Sequence, residues 1–168
     1  MIKTSLLLLP VLLAAALTPA PAAAAPTHID LVDFPTVQAN WDRFHDLRRR
    51  LERGFDDVCA DTFCEGEFSD IEAFRLRCAV ERATGTVSEC RWAFAASEVE
   101  VDEDTGRIVA RQPTWLCRLP IPAGTSIETL FSALAGPNAI FARLPGADAS
   151  VYDAVGDCLT LHQPPRTP

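Results

Sequence analysis

Residues 72–96 read EAFRLRCAVERATGTVSECRWAFAA, and the fold turns on how that stretch is read. Phe74, Leu76, Cys78 and Val80 alternate with other residues, and so do Cys90, Trp92, Phe94 and Ala96 further on. A period of two marks a strand with one buried face. Between the two runs lies Ala83-Thr84-Gly85. Gly in the third place suits a hairpin loop whose last residue takes the left-handed backbone conformation. The segment therefore predicts a β-hairpin. If Arg82 faces Thr86, then Arg77 faces Arg91 and Cys78 faces Cys90. Side chains opposed in this way stand about 4.5–5.5 Å apart at Cβ, close enough for a disulfide.

Outward from the hairpin, the pattern continues. Strands are expected near 72–81, 87–101 and 107–119, with a second turn at Glu103-Asp104-Thr105-Gly106. In the matching register Trp92 faces Cys117, Phe94 faces Trp115 and Arg91 faces Arg118. That gathers aromatic rings on the face that carries Cys78 and Cys90. Val99, Val101 and Ile108 change parity and face the other way, so a bulge or strong twist is expected near Ser97–Val99. Pro113 lacks an N–H and suggests an edge or an interruption.

Helical spacing appears on both sides of this meander. Val37, Trp41, Phe44, Leu47 and Leu51 recur every three or four residues, which predicts a helix over 36–53. Asp33 or Thr36 could cap it and Gly54 could stop it. Trp41 is then expected in the core with Trp92, Phe94 and Trp115. Thr125-x-x-Glu128 is a capping box ahead of a short helix ended by Gly136-Pro137. A short strand is expected over 138–144, and Ser150-x-x-Asp153 opens a last helix. The fold class is thus α+β: an N-terminal helix on a three- to four-stranded antiparallel meander, with two short C-terminal helices. A helix laid across a curved antiparallel sheet resembles the cystatin arrangement in the order of its elements. The Gln-x-Val-x-Gly loop of that family is absent, so no inhibitory residue carries over.

The N-terminus has a different character. Lys3 precedes an apolar run from Leu6 to Leu17, followed by small residues up to Ala24. This is the pattern of a secretory signal peptide, too short for a membrane span, with cleavage expected after Ala24. Residues 25–168 are then expected to form one exported domain with frayed ends and no membrane anchor. All six cysteines, Cys59, Cys64, Cys78, Cys90, Cys117 and Cys158, lie beyond the cut. An even number in an oxidising compartment reads as three disulfides rather than a zinc site, whose paired knuckles are missing. The expected pairs are Cys78–Cys90, then Cys59–Cys64 as a local staple and Cys117–Cys158 as a tie to the C-terminal segment. Lys3 is the only lysine, so the exported chain carries arginine alone. That bias suits a GC-rich bacterial genome, and the periplasm or the exterior as location.

The 168 residues hold 15 Lys+Arg against 23 Asp+Glu, a formal charge of −8. That balance argues against nucleic acid or anionic membrane as partner, since both need positive charge to displace counterions. A charged fraction of 23% beside a hydrophobic one of 48% argues for a packed globule.

Candidate chemistry is sparse. His45 is the one histidine on a predicted element, and no local signature supplies it with a nucleophile. The acidic segment Asp56 to Asp70 could gather oxygens around calcium, but the twelve-residue ligand spacing is missing. Asp102-x-Asp104-x-Gly106 reads more simply as a hairpin turn. The specific oddity is basic. Arg75, Arg77, Arg91 and Arg118 fall on the face opposite the aromatic cluster, three of them in a row across three strands. Like charges directly opposite destabilise a sheet, so carboxylates of the chain or of a partner should offset them. The functional expectation is an exported, non-enzymatic binding protein of inhibitor or protector type. It would use those arginines on an acidic protein or an anionic ligand, without a cofactor or metal. Two rival readings are a structural or envelope-stress factor and a small hydrolase with an unrecognised site.

Overall fold

A computed structural model describes residues 26–58, 68 and 71–161. The expected signal peptide, the expected Cys59–Cys64 bridge, most of the acidic segment and the C-terminal tail lie outside these residues. In chain order the elements are β1 (His28–Asp30), a 3₁₀ turn (Leu31–Asp33), α1 (Trp41–Val58), β2 (Ile71–Glu81) and β3 (Val87–Ala96). They continue with β4 (Glu98–Val101), β5 (Ile108–Arg111), β6 (Thr114–Arg118), α2 (Ile127–Ala133), a second 3₁₀ turn (Ala139–Phe141) and α3 (Val151–Leu161). The class is α+β, with a four-stranded antiparallel sheet in the order β1-β2-β3-β6.

The central hairpin has the register that alternation dictates. Arg77 pairs with Arg91, Cys78 with Cys90, Leu76 with Trp92, and on the other side Trp92 with Cys117 and Phe94 with Trp115. Leu76, Cys78, Val80, Cys90, Trp92, Phe94, Trp115 and Cys117 are all buried. The register slips at both ends of β2. At the loop, Glu81 and Thr86 close a four-residue turn instead of the expected three, with the Glu81 N–H donating to the Thr86 carbonyl at 2.9 Å. Gly85 still takes the left-handed place, at φ 70°. At the other end the ladder shifts between Ala73 and Arg75, which leaves Phe74 as an extra residue. Phe74 was expected on the core face and is instead 68% exposed, because the bulge turns it out.

The long second strand divides. Regular pairing with β6 ends near Ala96, and β4 with β5 forms a separate two-stranded ribbon. The disruption was expected at Ser97–Val99 and falls at Ser97. On the return strand, Gln112 and Pro113 interrupt the ladder, yet the Ala96 N–H still donates to the Pro113 carbonyl at 3.0 Å. Glu98–Arg111 and Val101–Ile108 keep the pairing of the hairpin before the break. The ribbon is therefore the same hairpin carried on as an arm.

Helix α1 buries Phe44, Leu47, Leu51 and Phe55, at spacings of three and four. Phe55 meets Trp92 at 6.0 Å and Phe94 at 4.9 Å between ring centroids, which seats the helix on the inner sheet face. Its limits differ from expectation at both ends. Residues 36–40 form turns, with Gln38 at φ 59°, so Val37 and Trp41 fall outside the buried stripe. Trp41 is 48% exposed and meets His45 in a tilted ring contact rather than joining the core. Asp33 accepts from the Gln38 N–H at 2.9 Å and so closes this turn instead of capping the helix. The helix runs through Gly54 to Val58. A Cβ at Gly54 would stand 2.9 Å from Ile140 Cγ2, so the glycine admits the second 3₁₀ turn. That turn replaces the strand expected over 138–144.

Helix α3 is capped as expected, and the cap of α2 differs. Ser126, rather than Thr125, caps α2 by accepting from the Thr129 N–H. Ser150 and Asp153 exchange hydrogen bonds at the start of α3. Disulfides Cys78–Cys90 and Cys117–Cys158 are both formed, and no free cysteine occurs among the described residues. The second ties α3 to β6.

Candidate functional site

Alternation along β2, β3 and β6 sends Arg75, Arg77, Ala79, Glu89, Arg91, Ala93, Leu116 and Arg118 to the face away from α1. Arg77, Arg91 and Arg118 stand side by side on three neighbouring strands. All three side chains are about half exposed, and Arg75 is exposed beside them. The sheet offsets the row with two carboxylates. Asp30 on β1 lies 3.2 Å from Arg77 Nε. Glu89 pairs closely with Arg91 and stands 3.9 Å from Arg118 Nε. Arg91 also donates to the Leu116 carbonyl at 3.5 Å. Arg75 has no ion pair among the described residues. Three guanidinium groups thus share two acids, Glu89 serving two of them, while the fourth has none.

Two shallow cavities flank Arg91. One, of about 360 Å³, is lined by His28, Asp30, Arg77, Ala79 and Glu89. The other, of about 460 Å³, lies between β6 and α3 and includes Leu116, Arg118 and Asp157. Arg91 borders both. Guanidinium groups at the rims of such hollows present planar forks of N–H donors, which suits bidentate contact with carboxylate or phosphate oxygens.

Apolar side chains that sequence reading did not assign to this site surround it. Leu116 is 60% exposed, next to Ala93, and Phe74 adjoins Arg75. On the arm, Val99, Val101 and Ile108 are each at least 60% exposed. Parity places them on the side of Arg91: odd-numbered residues from 89 to 101 point away from the core. Contacts on the opposite side agree. Arg111, paired with Glu98, lies over the Phe68 ring, and Phe68 meets Trp115 in the core. The signal was the parity change at Val99, legible as a twist but not as an extension of the arginine face.

The other candidates stay separate from this face. His45 meets Trp41 in a tilted ring contact at 4.2 Å, and its buried Nε2 makes no hydrogen bond. Asp102 accepts from the backbone of Asp104 and Thr105, and those bonds, chiefly from Thr105, hold its carboxyl below its ordinary range. Its hydrogen bonds close the turn at the tip of the arm. No group of three or more potential metal ligands occurs among the described residues, and no described helix is long and apolar enough to cross a membrane. Comparison with family models, with curated proteins and with solved structures found no match to this chain.

Proposed function

We propose that this is an exported, disulfide-stabilised binding protein that engages a protein partner through the outer face of its sheet. Two disulfides suit an oxidising location outside the cytoplasm. The observation that carries the reading is the shortfall of acid on that face, where Arg77, Arg91 and Arg118 share Asp30 and Glu89 and Arg75 has no ion pair among the described residues. A carboxylate from a partner would complete the set with charge-assisted hydrogen bonds. Exposed Leu116 and Phe74 among the arginines favour a protein over a small anion, because interface centres combine arginine with apolar and aromatic side chains.

The test compares two immobilised baits, wild type and Arg91→Glu, against an extract of the compartment into which the chain is exported. A protein retained by the first and lost from the second, with the melting temperature of the variant nearly unchanged, supports the reading. Identical recovery on both baits overturns it.

A further inference from the structure

The tip of the arm is opposite in charge to the arginine face, and the exposed Val99, Val101 and Ile108 of the arm lie on the side of those arginines. From Arg91 to the tip at Glu103 the hairpin presents, in order, a basic row, an apolar stretch and an acidic turn. The stretch comprises Ala93, Leu116, Ala95, Val99, Ala110, Val101 and Ile108, with the exposed polar residues Ser97, Gln112 and Thr114 among them, and the turn holds Asp102, Glu103 and Asp104, with Arg107 closing it. The backbone N–H groups of Asp104 and Thr105 donate to the Asp102 carboxylate and close this turn. At about 3.4 Å per residue the strip is about 40 Å long. Ser97 stands midway between Arg91 and Glu103.

We infer that the occupant of this face is a second copy of the chain. This rests on the reading of the outer face as a docking surface and names its partner. A two-fold axis near Ser97 lays one strip antiparallel on the other. The acidic tip of each copy then meets the arginine row of its mate, where acid is short. Val99, Val101 and Ile108 of each copy cover Leu116 and the small surface of Ala93 and Ala95 on the other. Such an interface is isologous: the arm of one copy contacts the sheet of the second, and the reverse contact follows by symmetry. Charge complementarity sets the direction, because a parallel arrangement would place arginine on arginine and acid on acid. Two sheets packed face to face at a small angle match the twist of each.

Sedimentation of the exported chain over a concentration series tests this directly. Wild type should move reversibly from monomer to dimer. Arg91→Glu alone, and Glu103→Arg with Asp104→Arg, should each weaken dimerisation at least about tenfold, since each homodimer then holds two like-charge contacts. Mixing the two variants should restore the dimer, because both contacts in the heterodimer are attractive. A lesion in folding cannot produce that rescue. Wild type that stays monomeric up to about 1 mM, the weak end of the affinity scale, overturns the inference. So does a dimer that neither charge reversal weakens. If a monomeric wild type still captures another protein through Arg91, the docking face stands and only the identity of its partner falls.

Discussion

Trp92 is the side chain on which the core converges. It stands between Leu76 and Cys117 on the neighbouring strands, touches Phe94 at 4.8 Å between centroids, and receives Phe55 from α1. It is fully buried. Trp92→Ala should cost about 3–5 kcal/mol, from lost transfer energy and the cavity left behind. Urea denaturation measures it, and a loss under about 1 kcal/mol would contradict burial at this position. Trp41→Ala is the matched control. Half exposed and outside the buried stripe of α1, it should change stability by about 0.5–1 kcal/mol. The two tryptophans also mark what sequence alone conveys. Period-two alternation placed Trp92 inside without ambiguity. Period 3.6 placed Trp41 inside only if the helix began before it, and Gln38 in the left-handed region prevents that.

Among the elements, α1 shows how tertiary contact overrides a local signal. Gly54 reads as a helix stop, yet the helix passes it by four residues. Its lack of a side chain admits Ile140, buried on the second 3₁₀ turn. Gly54→Ala raises helix propensity by about 1 kcal/mol, while overpacking costs about 1–3 kcal/mol. The variant should therefore be destabilised by about 1 kcal/mol. In an Ile140→Ala background the same change should cost less, because Cγ2 is gone and only the Cβ contact at 3.1 Å remains. Thermal melts of the four proteins in this cycle check the coupling, and additive effects would remove the contact from the account. Nothing in the sequence links residue 54 to residue 140. A turn closed by Ala142 N–H to Ala139 C=O carries the same apolar residues as a short strand. The capping box of α3 was legible because a cap needs only its own three neighbours, whereas at α2 the cap is Ser126 and Glu128 reaches Arg43 instead.

For the molecule as a whole, alternation conveyed the three strands β2, β3 and β6, their register between the two slips, and the arginine row, since all follow from a period of two. The site was legible only in part. Asp30 and Glu89 offset the row, and Asp30 comes from β1, a three-residue strand too short to leave a pattern. Phe74 joined the outer face through a bulge that no composition announces. The disulfides act at this scale too, and their effects can be ranked. Cys78–Cys90 closes a loop across 12 residues of sequence, and Cys117–Cys158 across 41, joining the last helix to the sheet edge. On the chain-entropy argument the first stabilises by about 3 kcal/mol and the second by about 4 kcal/mol. Replacing each pair by alanine removes the same atoms, so the difference between the two variants isolates the closure term. Denaturant unfolding should find the Cys117–Cys158 variant the less stable, with α3 the first element to lose amide protection in hydrogen exchange. The opposite order would mean that the cross-strand bridge acts mainly within the folded sheet, by pinning the register of the hairpin that carries Arg77 and Arg91.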